Sequence, residues 1–175
     1  MKRIKVIPER CSGCRICELS CAHYHYGVMN PKKSAIRLFS LYPNPIIRTP
    51  IVCRQCDDPE CQKSCPSEAI VLSDGFLRID PDLCTNCLAC VDACPYGAIF
   101  VHPDLDTPIK CDLCSGQPRC VRDCPKHALT LSDEVAGQPT LVGKSIEYGG
   151  MEELTFTDPE GKEKTLKYVQ GGRPR

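Results

Sequence analysis

The sequence is poor in large apolar side chains: it has no tryptophan, and aromatic residues make up only 6% of its 175 residues. A chain of this size with so few of them cannot build much of a conventional hydrophobic core. It contains no run of 18 or more apolar residues, which excludes a membrane-spanning helix. The first ten residues lack the apolar stretch of a signal peptide, so we expect no secretory leader.

Motifs for several function classes are also missing. Lysine and arginine total 22 and are balanced by 22 acidic residues, with no basic run or stripe that would bind nucleic acid. We find no glycine-rich phosphate loop, no nucleotide fingerprint and no nucleophile–base pair. The sequence therefore predicts neither an independent enzyme nor a DNA-binding regulator.

Cysteine, in contrast, is abundant, with sixteen residues that fall into four groups of four. Group one is Cys11, Cys14, Cys17 and Cys21; group two is Cys53, Cys56, Cys61 and Cys65; group three is Cys84, Cys87, Cys90 and Cys94; group four is Cys111, Cys114, Cys120 and Cys124. Groups one and three have the spacing C-x2-C-x2-C-x3-C, in which a short loop places three thiolates around one 4Fe–4S cluster. Four groups predict four 4Fe–4S clusters as cofactors.

Disulfides and zinc sites are the alternatives to clusters. Disulfides require an oxidising compartment and would not favour cysteines two residues apart. Zinc remains an alternative in group two or group four, where wider gaps precede the third cysteine. His23 and His25 follow group one, and histidine ligates iron in some clusters. Because group one already supplies four thiols, we expect both histidines to pack or face solvent.

A repeat organises the middle of the chain, because Cys65, Cys94 and Cys124 are each followed by proline and then by a short apolar segment. Each segment predicts a short strand. After the first, Ser73-Asp74-Gly75 predicts a turn and residues 76–79 the returning strand. Short helices are predicted over residues 88–94 and 117–124.

Outside this repeat the pattern changes. Cys21 precedes alanine rather than proline, and residues 35–42 predict a strand, followed by a stiff linker at residues 42–45. The last forty residues contain no cysteine. Residues 151–157 and 164–169 predict a β-hairpin, which needs a surface to rest on because an isolated hairpin is marginal in water. The last five residues predict a mobile tail.

With three Cys-Pro junctions and the Lys110-Cys111-Asp112-Leu113-Cys114 segment, residues 1–135 resemble the four-cluster ferredoxin subunits of molybdenum and tungsten oxidoreductases. These include the dimethyl-sulfoxide-reductase and formate-dehydrogenase beta subunits. The segments 11–19 and 30–36 are similar to a compact branch, the small subunits of tungsten aldehyde oxidoreductases and class II benzoyl-coenzyme A reductases.

This resemblance implies a small, metal-stabilised α+β fold of two nested bacterial-ferredoxin-like dicluster modules with a C-terminal β-hairpin extension. Residues 1–48 with 104–135 would form the outer module, 49–103 the inserted module, and 136–175 the cysteine-free hairpin and tail. It also implies that fourth cysteines cross between groups. The four ligand sets would be Cys11, Cys14, Cys17 with Cys124; Cys53, Cys56, Cys61 with Cys94; Cys84, Cys87, Cys90 with Cys65; and Cys111, Cys114, Cys120 with Cys21.

The implied function is electron transfer between a larger pterin-containing tungsten or molybdenum catalytic subunit and a further redox protein, in an anaerobic cytoplasm. A free polyferredoxin shuttle, or a subunit of a hydrogenase or carbon-monoxide-dehydrogenase system, remains the alternative. The substrate and the direction of electron flow belong to the partners.

Charges near the groups predict an order of potentials. Group three has Asp82 and Asp92 and no basic residue, whereas group four has Lys110, Arg119, Arg122 and Lys126. Nearby cations favour reduction of an already negative cluster. We therefore expect the lowest potential at group three and a higher one at group four.

Overall fold

The computed structural model describes residues 2–41, 47–133, 153–157 and 163–167, the last two ranges as backbone strands. The helices in these residues are α1 (Ile16–Tyr26), α2 (Glu60–Lys63), α3 (Ala89–Ala93) and α4 (Arg119–Arg122), with 3-10 turns at Pro8–Arg10 and Pro31–Lys33. The strands are β1 (Arg3–Val6), β2 (Ile36–Leu41), β3 (Ile47–Val52), β4 (Ile70–Ser73), β5 (Phe76–Ile79), β6 (Ile99–Phe100), β7 (Ile109–Lys110), β8 (Leu129–Ser132), β9 (Glu153–Thr157) and β10 (Glu163–Lys167). None of the described helices is long and apolar enough to cross a membrane.

The described strands form five antiparallel pairs: β1–β8, β2–β3, β4–β5, β6–β7 and β9–β10. Four of these pairs join strands that follow one another in the chain. The exception is β1–β8, in which Arg3 lies opposite Ser132 and Val6 opposite Leu129. This pair brings the start of the chain next to the segment that follows group four.

The strands predicted after the three Cys-Pro junctions are present as β4, β6 and β8. Between β4 and β5, Asp74 and Gly75 both have positive φ, at 54° and 85°. Two consecutive left-handed residues are typical of the type I′ turn, whose twist matches the flanking strands. The predicted Asp-Gly hairpin is therefore confirmed, with Ser73 opposite Phe76.

Helix α1 was not predicted, nor were strands β1 and β3. The helix begins after Arg15, whose φ is 62°, and ends at Gly27, whose φ is 67°. The Gly27 N–H donates to the His23 carbonyl over 2.9 Å, as expected of a glycine that ends a helix. The two predicted short helices are present but shorter than expected, as α3 and α4.

Two apolar clusters form the interior, and cysteine side chains belong to both. The main cluster includes Ile4, Ile36 and Leu129, which are at most 1% exposed, together with Cys21 and other cysteines. The second cluster consists of Cys61, Ile70, Leu77, Cys90 and Ile99. The interior is thus built around the cysteine groups, in agreement with the expected small, metal-stabilised α+β fold.

The C-terminal hairpin is confirmed in its strands, since β9 pairs with β10 and Thr155 lies opposite Thr165. The predicted linker at residues 42–45 and the predicted tail at 171–175 lie outside the described residues.

Candidate cluster-binding sites

The repeated Cys-Pro-x-x-Ala sequence forms the same sulfur-binding turn each time. The Ala98 N–H donates to the Cys94 sulfur over 3.4 Å, and the Ala128 N–H donates to the Cys124 sulfur over 3.3 Å. At Cys65, burial would raise the thiol pKa, but hydrogen bonds from Ser67, Ala69 and Ile70 lower it overall. Donors aimed at sulfur stabilise the thiolate, the form that binds metal.

The conformation of this turn explains its residues. The position before each alanine is left-handed, with φ of 52° at Glu68, 55° at Gly97 and 48° at His127. This reversal brings the following N–H back toward the sulfur. The alanines themselves are at most 2% exposed, which leaves no room for a larger side chain.

Cys21 uses a different arrangement, as its missing proline indicates. It lies within α1, and its sulfur accepts the Ala35 N–H over 3.3 Å. A segment that enters β2 therefore supplies the donor that the turn supplies elsewhere.

The loops that carry the first cysteines also share a conformation. Two residues after the first cysteine of each group, the backbone is left-handed, with positive φ at Gly13, Gln55, Asn86 and Leu113. The Gln55 and Leu113 N–H groups lie 3.5 Å from the sulfurs of Cys53 and Cys111, respectively. Loops that turn consecutive N–H groups inward make anion-binding concavities typical of iron–sulfur sites.

The folded chain brings three cysteines of one group to the fourth cysteine of another. Cys11, Cys14, Cys17 and Cys124 line one small cavity, which we call site one. Burial is the main cause that raises the pKa of the Cys11 thiol, and the neighbouring Cys14 and Cys124 add to it. The β1–β8 pair accounts for this meeting, since the Ile7 N–H also donates to the Ala128 carbonyl over 2.8 Å.

Two further sets border the second apolar cluster, which contains Cys61 and Cys90, while Cys53 belongs to the main cluster. Site two is formed by Cys53, Cys56, Cys61 and Cys94; site three is formed by Cys84, Cys87, Cys90 and Cys65. Burial raises the pKa of Cys61 to about 11, opposed by Lys110 and reinforced by Cys53, Cys94 and Cys56. Burial likewise raises the pKa of Cys90 to about 11, with contributions from Cys84, Cys65 and Cys87.

Site four is formed by Cys111, Cys114, Cys120 and Cys21, and all four are buried. Burial and the nearby Cys21 raise the pKa of Cys114 to about 12, with Asp112 adding to the effect. Burial also places the pKa of Cys120 well above its ordinary value, together with Cys111, Cys21 and Cys114. Thiols this hard to ionise give up their protons readily only to a bound metal.

These four sets fit 4Fe–4S clusters. In each set the four thiols lie close enough to affect one another's charge, and backbone N–H groups donate to sulfurs of every set. Such clusters are held by four thiolates, and hydrogen bonds to the sulfurs help to set their potentials. A cluster bound there would supply a one-electron redox centre, while the chain would supply the ligands and the hydrogen bonds to sulfur.

Gln55 is a functional residue that the sequence analysis missed. Its amide is fully buried, with Nε2 donating to the Cys111 carbonyl over 2.7 Å and Oε1 accepting the Leu77 N–H over 2.7 Å. It therefore ties the loop of site two to the first ligand of site four. Its position between Cys53 and Cys56 was the only signal in the sequence.

The two histidines of α1 differ in exposure and in contacts. His23 is exposed on α1. His25 Nε2 lies 3.3 Å from an Asp112 oxygen and 3.7 Å from the Cys114 sulfur, so it packs against a site-four cysteine.

Comparison with known families supports iron–sulfur binding. Residues 46–134 match the family described as 4Fe-4S dicluster domain, and residues 8–27 match the 4Fe-4S binding domain. The chain is 38% identical over 123 residues to the polyferredoxin-like subunit of aliphatic sulfonate oxidoreductase from Pyrococcus furiosus, covering 69% of this chain and 70% of the relative.

Two relatives come from Escherichia coli. The electron transport protein HydN is 35% identical, covering 71% of this chain and 84% of the relative. The probable anaerobic dimethyl sulfoxide reductase chain YnfG is 36% identical, covering 69% and 68%. Among solved structures, the active-site complex BamBC of benzoyl-coenzyme A reductase contains a chain with 28% identity and a TM-score of 0.45, covering 75% of this chain and 79% of that one.

The chain belongs to the 4Fe-4S dicluster family. It binds multiple 4Fe–4S clusters and is an electron-transfer subunit of the oxidoreductase type.

Proposed function

We propose that the chain holds four 4Fe–4S clusters, one in each of sites one to four, and conducts electrons between a catalytic subunit and a second redox protein. The observation that carries this proposal is the meeting of each group's first three cysteines with the fourth cysteine of another group. It supports the crossed ligand sets. An arrangement of this kind locks distant segments together and keeps paired clusters close.

The nested modules are part of the same proposal. The pairing of β1 with β8 joins the two ends of the outer module, residues 1–48 and 104–135. The inserted module, residues 49–103, contains the whole of sites two and three. Exchange of Cys65 and Cys94 between groups two and three would hold this module together.

We propose a large pterin-containing subunit, with tungsten or molybdenum, as the catalytic partner. The names of two relatives support an oxidoreductase complex, since one is a sulfonate oxidoreductase subunit and another a dimethyl sulfoxide reductase chain. The C-terminal hairpin, β9 and β10, is the segment we expect to contact this partner. An anaerobic cytoplasm would suit clusters that oxygen damages.

Metal analysis and ligand variants test the cluster arrangement. We expect about 16 irons per chain prepared without oxygen, four for each cluster. In Cys124→Ala, we expect loss of the cluster at Cys11, Cys14 and Cys17 while the site with Cys111, Cys114 and Cys120 stays loaded. About 12 irons with one zinc would place zinc in one site, and retention of the first cluster would contradict the crossed ligands.

Native purification separates the complex from a free shuttle, the runner-up function that the electron transport protein HydN keeps open. We expect the chain to co-purify with a large subunit that contains a pterin and tungsten or molybdenum. A monomer in size-exclusion chromatography that carries its full iron content would favour the shuttle. A nickel-containing partner would favour the hydrogenase or carbon-monoxide-dehydrogenase alternative.

A further inference from the structure

Lys110 is a buried cation. It precedes Cys111 of group four in the sequence, but its side chain also reaches Cys53 of group two. Only 9% of the residue is exposed. Its Nζ donates to the Leu77 carbonyl over 2.8 Å, to the Cys111 carbonyl over 3.3 Å and to the Cys53 sulfur over 3.5 Å. An ammonium group has three N–H donors, and each has an acceptor here.

None of these acceptors is a carboxylate, and in the part of the chain that the structure describes no acidic side chain forms an ion pair with Lys110. Lysine is almost never this buried without a negative partner, because an unpaired charge is costly to remove from water. The negative groups available are the cysteine sulfurs. The Lys110 charge opposes the burial-driven rise in pKa at Cys56 and Cys61 as well.

Gln55 shares two acceptors with the ammonium. Its Nε2 donates to the same two carbonyls that Lys110 contacts, those of Leu77 and Cys111. Both side chains therefore meet at one junction between β5 and the loops of sites two and four. A cation held in this way cannot easily rotate out to solvent.

The contacts with the two sites are not equivalent. Lys110 donates to a sulfur of site two, that of Cys53, but at site four its hydrogen bond goes to the backbone carbonyl of Cys111. Its charge also opposes the burial-driven rise in the pKa of the Cys111 thiol. A second cation belongs to site two, since the Arg54 guanidinium stacks 4.0 Å from the centre of the Tyr96 ring and interacts with the Cys56 and Cys94 thiols. Site two therefore has a buried cation, whereas the cations near site one, Arg15 and Lys126 at its cavity and Arg48 beside Cys11, are exposed or half-buried and are screened by solvent.

We propose that Lys110 raises the reduction potential of site two above those of the other sites, so that the first electron delivered to the chain rests there. A one-electron donor adds one negative charge to a site that is already negative, and the adjacent ammonium stabilises the product. The inference rests on the proposed cluster arrangement. In this role Lys110 acts on the cluster through its positive charge and does not ligate iron.

The test is an anaerobic redox titration of the loaded chain, followed by EPR, with dithionite as the reductant and site two identified by its altered spectrum in Cys56→Ser. We expect site two to be reduced first in the unmodified chain. Lys110→Met should lower the ratio of reduced to oxidised site two at least tenfold at a fixed potential. This corresponds to a decrease in reduction potential of about 59 mV for one electron.

Two variants serve as controls. Lys110→Arg keeps the charge, and we expect less than a threefold change. Lys63→Met removes an exposed lysine near site two that pairs with Asp58 and Glu60, and we expect a similarly small change. A site-two potential unaffected by Lys110→Met, or lowered equally by Lys63→Met, would overturn the proposal.

If Lys110→Met does not bind its clusters, the order in which the clusters of the unmodified chain are reduced provides the test. Site two reduced after another site would then contradict it, even with about 16 irons bound as four clusters require. A chain that binds no iron would instead contradict the proposed function.

Discussion

Site four and site three differ in how their cysteines are buried. All four site-four cysteines are buried, whereas at site three Cys87 is exposed and Cys84 and Cys65 are partly buried. Site four lies where α1 and α4 meet the main apolar cluster, which includes Cys21, Cys111 and Cys120. Site three borders the second cluster, which has only five members.

This difference in burial indicates that the same kind of cofactor can have two roles, one in folding and one in electron exchange with other proteins. A buried cluster in the main core replaces apolar material that the sequence lacks, so its binding energy is also folding energy. An exposed cluster contributes less to the core but lies within reach of solvent and of other proteins. The consequences of losing a cluster therefore depend on where in the molecule the cluster lies.

The largest effect is expected from removing one ligand at each site. Cys120→Ala should prevent stable folding, because structural metal binding is worth roughly 10 kcal/mol and the whole domain is stable by only about 5–15 kcal/mol. Cys87→Ala should fold and lose about four irons, one cluster. Iron analysis with anaerobic thermal unfolding measures both. Equal melting temperatures in the two variants would show that sites four and three contribute equally to the stability of the fold.

Limited oxidation is the next test. Because cluster and thiol damage follow exposure, we expect ferricyanide to destroy site three before site four. Alkylation of the released thiols and mass spectrometry should label Cys84, Cys87 and Cys65 while Cys111 and Cys120 remain protected. Labelling of both sites at the same rate would contradict the order.

A smaller effect is expected at Gln55, which joins Leu77 of the second apolar cluster to Cys111 of site four. Gln55→Leu leaves the Leu77 N–H buried without its acceptor, and we expect a loss of about 1–3 kcal/mol in the free energy of unfolding. The control is Gln62→Leu, since the half-buried Gln62 makes one hydrogen bond, to the Ile70 carbonyl. Urea unfolding without oxygen measures both. Equal losses in the free energy of unfolding would show that Gln55 stabilises the fold no more than the half-buried Gln62 does.

The smallest effects are expected from two glycines with left-handed backbone. Gly27 ends α1 near site four, and Gly75 lies in the hairpin that supports the second cluster; an added Cβ meets no atom within 4 Å at either position. Alanine at each should therefore cost only the conformational strain, about 1–2 kcal/mol. We expect Gly27→Ala to weaken iron retention at site four and Gly75→Ala at site three. Iron loss from site three in Gly27→Ala and from site four in Gly75→Ala would contradict the division of the core into two clusters.

Local patterns in the sequence predicted the parts of the fold that depend on neighbouring residues. The Asp74-Gly75 turn and the strands after the Cys-Pro junctions follow from backbone preferences. The left-handed Gly27 was a usable signal for the end of α1, but the helix has no strong apolar stripe and depends on its packing against α4 and β2. Strand β1 depends on a partner at residues 129–132, which no local pattern reveals.

The same limit applies to the charge at Lys110. Its place next to Cys111 predicted an effect on group four, and the structure adds a second target, because the ammonium also donates to the Cys53 sulfur. Sequence distance measures proximity along the backbone, whereas potentials depend on proximity of the side chain. The predicted order of potentials stays untested, with site two now the candidate for the highest.

The β1–β8 pair also has a consequence for synthesis of the chain. Strands β4 and β5 can pair as soon as both have emerged from the ribosome, but Val6 must wait for Leu129. At about 5–20 residues per second, this delay lasts roughly 6 to 25 s. During that interval the cysteines of group one are open to oxidants and stray metal ions, because the proposed site one is complete only after Cys124 has been made.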